Sequence, residues 1–263
     1  MNSNWPEHWR KRLKTANSRT DISEVFASIQ GEGLFIGTMQ LFIRMGNVEA
    51  ECQSIKQSSD QSAENSFWLR TLPGTRNVMG KSPITASKLF ADLKKHYPLQ
   101  QFFCIAMIGS EPLQQMDFIS EFLPMLRREN LKIFAQTSAP SVKNFATLVQ
   151  LVDLLCLDLE VPRKEIASNR KCKRLTDVLE LTRPSTTYLR LTVDAHESPH
   201  VLLSQLKQLP VSKHTLVLQP RMEGLSHISD WDTGTILEWI NLFAPLFAQI
   251  RWIPQVHKLL RIP

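Results

Sequence analysis

At 263 residues the chain can form one large α/β domain or two small ones, and hydrophobic and charged shares of 43% and 21% are those of an ordinary globular protein. No apolar run approaches the about eighteen residues of a membrane span; candidates such as Leu148-Val149-Gln150-Leu151-Val152 break early, and Met1–Pro6 has no apolar signal core, so a cytoplasmic location without a membrane partner is expected. The net charge of +6 leaves room for phosphorylated ligands or nucleic acid, or simply for a solvated basic face.

Residues 1–20 read as an N-terminal extension carrying Arg10-Lys11-Arg12-Lys14. Branched and aromatic residues then predict strands at Ile22–Ile29 and Met39–Met45. Between them lies Gly31-Glu32-Gly33, where two glycines let the chain turn and bring Glu32 against a ligand, or simply end a strand. Arg44 lies at the end of the second strand. A guanidinium there needs a carboxylate or phosphate, from a ligand or from a structural acid such as Glu32. Residues 47–81 read as a long polar loop of Ser, Gln and Asn, interrupted by Phe67-Trp68-Leu69.

Beyond residue 82 apolar strands alternate with amphipathic stretches. Strands are predicted at Phe102–Ile108, Lys132–Thr137, Leu154–Leu159, Thr187–Val193, Thr215–Gln219 and Ile250–Ile253. Helices are predicted at Ala86–His96, Met116–Asn130, Val201–Leu209 and Thr235–Phe247. This alternation implies parallel strands joined by right-handed crossovers, in an open sheet or a complete or partial barrel. No G-x-G-x-x-G follows any strand, which disfavours a dinucleotide fold.

Ligands of such folds bind beyond the carboxyl ends of the strands. Gly109-Ser110-Glu111-Pro112 lies there: Gly109 and Ser110 leave backbone open, and Glu111 can accept from an ammonium group. Asp158 and Gln219 occupy other strand ends, and His257 and Lys258 lie in the last segment. Of the four cysteines, Cys104 and Cys156 sit in apolar runs and read as buried hydrophobes, and none forms a C-x-x-C pair.

These patches together resemble the 7-carboxy-7-deazaguanine synthase family of radical S-adenosylmethionine proteins. Ser28–Gly33 is similar to the family's S-[IL]-Q-G-E-G, Phe42-Ile43-Arg44 to F-[IV]-R, and Gly109-Ser110-Glu111-Pro112-Leu113 to G-G-E-P-L. Gln136-Thr137-Ser138 is similar to E-T-[SN], Gln219-Pro220 to Q-P, and Gln255-Val256-His257-Lys258 to Q-x-H-K. The resemblance implies a single domain built as an incomplete, modified (β/α)6 barrel, usually a homodimer. It also implies a [4Fe–4S] cluster, S-adenosylmethionine and Mg2+, and rearrangement of 6-carboxytetrahydropterin toward queuosine. Gln30, Gly31, Glu32, Arg44, Ile108 and the carboxylate of Pro263 would then line the pterin site, and Gly109, Ser110, Glu111 and Ser138 the nucleoside site.

One departure decides the expected function. Where the family carries G-C-N-L-x-C-x-x-C-D-T, this chain reads Met45-Gly46-Asn47-Val48-Glu49-Ala50-Glu51-Cys52-Gln53-Ser54-Ile55-Lys56. Val48 and Ile55 replace two cysteines, only Cys52 remains, and Lys56 and Gln57 replace the acid and the threonine that meets Mg2+. Ser110 for the second glycine and Ile108 for threonine weaken the remaining sites. A degenerate member without cluster chemistry is expected, binding no cofactor but keeping a pterin-, deazaguanine- or nucleoside-like ligand, or pairing with an active paralogue. The alternatives are an active synthase with an unusual cluster site and a nucleic-acid-binding module.

Overall fold

A computed structural model describes residues 18–46, 66–70, 77–109, 111–161, 169–222, 231–260 and 262. Ser110, Pro263, Cys52 and most of the polar loop lie outside these residues. The chain opens with strands β1 (Arg19–Thr20), β2 (Ile22–Ile29) and β3 (Met39–Met45), then β4 (Ser66–Arg70), β5 (Val78–Lys81) and β6 (Ile84–Thr85). Strict alternation follows: α1 (Ala86–His96), β7 (Ile105–Gly109), α2 (Met116–Arg128), β8 (Ile133–Thr137), α3 (Val142–Leu151) and β9 (Leu154–Asp158). It continues through α4 (Asn169–Leu181), β10 (Thr187–Val193), α5 (Pro199–Leu206), β11 (Thr215–Pro220), α6 (Thr233–Phe243), β12 (Gln249–Trp252) and α7 (Val256–Leu260).

Ten strands make one sheet in the order β12-β11-β10-β9-β8-β7-β3-β2-β4-β5. β3 and β7 through β12 run parallel, and six helices follow successive strands of this series. The end strands β5 and β12 do not pair, so the sheet stays open, as an incomplete (β/α)6 arrangement requires.

Strand periodicity explains the two faces. Leu41, Ile43, Ile105, Met107, Ile133, Leu155, Leu157, Leu189, Leu191, Leu216 and Leu218 point toward the helices and join the larger core cluster. Helices α1 to α6 answer with apolar stripes, among them Leu89 and Leu93 from α1, Ile119, Phe122, Leu123 and Leu126 from α2, and Trp239 and Phe243 from α6. The alternate residues Phe26, Phe42, Ala106, Phe134, Cys156, Tyr188 and Val217 form a second cluster on the inner face. Leu34 and Phe35 from the β2–β3 connection pack there, with Phe35 5.5 Å from Phe103 and 6.0 Å from both Phe134 and Tyr188 between ring centroids.

The predicted strands are all present, with ends shifted by a few residues; the last, expected at Ile250–Ile253, runs Gln249–Trp252. Two helices, α3 and α4, were not predicted, although Phe145, Leu148 and Val149 in the first and Leu175, Val178 and Leu179 in the second recur at helical spacing. The polar loop of residues 47–81 is corrected in part. Ser66–Arg70 and Val78–Lys81 are paired strands, the first parallel to β2. Phe67 and Leu69, each 1% exposed, drive that strand into the core. The expected extension likewise ends in structure, since Arg19 and Thr20 pair with Thr85 and Ile84.

Candidate functional site

Residues opposite one another in a ladder share a face. Glu24 opposes Arg44, Arg44 opposes Ile108, and Asp158 opposes Arg190, so all five look inward. Two ion clusters result.

The first is centred on Arg190, which sequence reasoning missed although a charged residue inside Tyr188-Leu189-Arg190-Leu191 was a signal. Only 7% exposed, it binds Asp158 through Nε and NH2, the latter at 2.8 Å from Oδ2, and donates from NH1 to Glu32 Oε2. Gln136 Nε2 donates to Asp158 Oδ2 at 3.0 Å, and Gln255 Nε2 to Glu32 Oε1 at 2.7 Å. Burial pushes Glu32 up, but Arg190, then Gln255, His257 and Gln219, outweigh it and leave the carboxyl below its usual range. For Asp158 burial wins over Arg190 and Gln136, and the carboxyl is raised. Two carboxylates share one guanidinium, so the cluster carries at most one net negative charge. His257 Nδ1 lies 3.8 Å from Glu32 Oε1; burial lowers its proton affinity despite Glu32. Gln219, 2% exposed, leaves its Oε1 without a partner among the described residues.

Glycines make this cluster possible. A Cβ on Gly31 would stand 2.5 Å from His257 Cβ, and Gly31 O accepts from Val256 N at 2.9 Å. Gly33 has φ +66, and a Cβ there would meet the Tyr188 hydroxyl at 2.0 Å. The G-E-G segment is therefore a close approach of backbone to backbone and ring, which fixes Glu32 toward Arg190. Gln30 sits beside it, 8% exposed, with Nε2 donating to Gln40 Oε1 at 3.3 Å.

Arg44 belongs to the second cluster. Its partner is a structural acid, Glu24 at 2.9 Å, in place of the Glu32 named as an example. Arg70 Nε also reaches Glu24, at 3.1 Å, and Arg44 lies 5.4 Å over the Phe26 ring. Two guanidiniums on one buried carboxylate leave this cluster with a net positive charge. The β4 strand that brings Arg70 was the part of the chain read as loop.

Glu111 and Ser138 come together as expected, but with each other. Glu111 Oε1 accepts from Leu113 N at 3.1 Å and from Thr137 Oγ1, and Oε2 from Ser138 N at 2.9 Å and Ser138 Oγ at 3.1 Å. A carboxylate offers about four acceptor positions. All are used by the protein, so the expected acceptance from an ammonium group is corrected: Glu111 locks the β7 and β8 ends together. Gly109, at φ +98, is exposed at the end of β7, where a Cβ would stand 2.4 Å from Met45 O. Ile108 is half-buried on the inner face. The cysteines are dispersed. Cys104 and Cys156 are buried, the former with its thiol pushed up to about 12 by burial, and Cys172 is half-buried on α4.

The architecture is thus that of an α/β protein with an open, mostly parallel sheet whose inner face carries two ion clusters of opposite sign. No family model matches the chain. It is 25% identical over 253 residues to a 7-carboxy-7-deazaguanine synthase of Geobacter sulfurreducens, covering 90% of this chain and 96% of that protein. Synthases of the same name from Methanopyrus kandleri and Archaeoglobus fulgidus are each 24% identical, covering 91% and 93% of this chain and 92% and 99% of theirs. The crystal structure of QueE from Escherichia coli superposes with a TM-score of 0.49 at 15% identity, over 89% of this chain and 93% of that one. The chain is thus similar along nearly its whole length to proteins named 7-carboxy-7-deazaguanine synthase. No helix among the described residues is long and apolar enough to cross a membrane.

Proposed function

We propose that this chain is a family member without radical chemistry that retains a small-molecule site on the inner face, for a pterin- or deazaguanine-like ligand. The distribution of the cysteines carries the reading. A [4Fe–4S] cluster with one iron open to S-adenosylmethionine takes three thiolates. This chain has 4 cysteines: Cys52 lies where the family's cluster loop falls, whereas Cys104 and Cys156 are sheet residues and Cys172 lies on an outer helix. The residues present do not fit the cluster. The saturated Glu111 does not fit the ammonium end of S-adenosylmethionine either.

The ligand class rests on charge. A pterin or deazaguanine acid has a donor-rich pyrimidine edge and a carboxylate. The Glu32–Asp158 side, with the Gln219 Oε1 unpartnered among the described residues, suits the edge, and Arg44, on the same inner face, suits the carboxylate. Anaerobic reconstitution followed by iron and sulfide assay tests the loss of chemistry. Iron well below one cluster per chain and no cleavage of S-adenosylmethionine are expected; stoichiometric iron with cleavage overturns it. A rise in melting temperature with 6-carboxypterin, abolished in Arg44→Gln, tests the retained site.

A further inference from the structure

The segment Phe67-Trp68-Leu69 stands out in sequence, and the functional reading above leaves it unused. Its outward residues are buried, but Trp68 is 45% exposed and its ladder partner Met79 is 54% exposed. Trp68 opposes Glu24, and Glu24 opposes Arg44, so Met79, Trp68, Glu24 and Arg44 form one row across four neighbouring strands on the inner face. Arg70 lies two residues beyond Trp68 on the same face of β4. An exposed indole therefore sits beside an ion triad of two guanidiniums and one carboxylate.

We propose that this end of the inner face is a binding subsite for a nucleoside monophosphate, with the base stacked on Trp68 and the phosphate held between Arg70 and Arg44. Three features specify that chemistry. Glu24, 7% exposed, takes Arg44 through NH1 and Arg70 through Nε, and both remaining guanidinium edges are uncommitted among the described residues. Paired guanidinium edges match the oxygens and the nearly double charge of a phosphomonoester better than a single carboxylate. The two arginines are already positioned: Arg44 rests on Phe26, and the Arg70 carbonyl accepts from Tyr97 Oη at 3.1 Å. Trp68 and Arg70 stand about 6.6 Å apart along the strand, on the scale of a base and its 5′-phosphate. Stacking on an indole is tolerant of base identity, so the subsite is selective for the nucleotide class and not for one base. Glu32, Gln255 and His257 take no part; Arg44 is shared with the pterin reading, whereas Trp68 and Arg70 belong to this subsite alone.

Calorimetric titration of the full chain with 5′-GMP, guanosine and inorganic phosphate separates the contributions. Binding of 5′-GMP is expected, with guanosine and phosphate each at least about tenfold weaker. Trp68→Ala and Arg70→Gln are each expected to weaken 5′-GMP by about tenfold or more, and Trp68→Phe to restore most of the loss, with melting temperatures recorded for every variant. No binding of 5′-GMP at millimolar concentration, unchanged affinity in folded Trp68→Ala, or binding confined to longer oligonucleotides would each overturn the proposal. The iron assay reads the cluster hypothesis alone, so the two failures are distinguishable.

Discussion

Single side chains set the inner face. Gly33 has both a left-handed φ and the Tyr188 hydroxyl where a Cβ would be, so Gly33→Ala combines backbone strain with overpacking. A loss of about 2 kcal/mol or more in urea unfolding is expected. Arg190 is the more severe case. Arg190→Met removes the common partner of two buried carboxylates, and breaking a buried pair in this way costs about 3–5 kcal/mol. Replacing Glu32 as well, as Gln, should recover part of that loss, because one uncompensated charge disappears. His214 gives a pH signature. It is 3% exposed, Thr182 Oγ1 donates to Leu179 O, and so the His214 Nε2 contact of 2.7 Å requires the imidazole N–H to donate. Burial lowers its proton affinity below the usual 6.5, so the unfolded state binds the extra proton. Stability from this group is complete above about pH 6.5 and falls as the pH drops below it. His257 is shifted the same way. Unfolding midpoints between pH 7.5 and 5.5 should therefore decline in the parent and decline less steeply in His214→Gln.

Elements are tied by side chains that cross between them. Tyr97, just past α1, shares its single hydroxyl proton between Val25 O and Arg70 O, each at 3.1 Å, and so fastens β4 to β2. Tyr97→Phe removes the one donor that the two strand carbonyls share and should cost about 1 kcal/mol in stability, with faster amide exchange in β4 than in β8. Asp153 performs the same service elsewhere. It accepts from Arg127 NH2 at 3.0 Å and from Ile133 N at 2.9 Å, joining the end of α2, the start of β8 and the α3–β9 turn. Helices and strands of this kind are largely legible from periodicity. Ile22–Ile29, Met39–Met45, Thr187–Val193 and Ala86–His96 follow from the sequence residue for residue. The β4 strand was hidden because it is short and set among polar residues, so its two buried side chains do not make a visible period.

At the scale of the molecule, the open sheet leaves an inner face that its own termini and connections must cover. The segment after β12 contributes Gln255 to Glu32 and Val256 N to Gly31 O, across more than two hundred residues of chain. Truncation after Ile253 should lower the melting temperature by several degrees, about 2–4 °C per kcal/mol lost, and remove any 6-carboxypterin response. The 5′-GMP response should survive, since β4 and β3 are untouched.

The sequence alone determined the alternation of strands and helices, the parity that sends apolar side chains to each face, and the single cysteine in the cluster loop. These are local properties, carried by period and residue type, and need no neighbour to be read. Tertiary structure alone decided the partners: Arg190 between Glu32 and Asp158, Arg44 and Arg70 on Glu24, and Glu111 closed on Ser138. A charge in a strand announces that it needs a counter-ion, but the choice among distant carboxylates depends on which strands the sheet order makes neighbours and how its inner face curves.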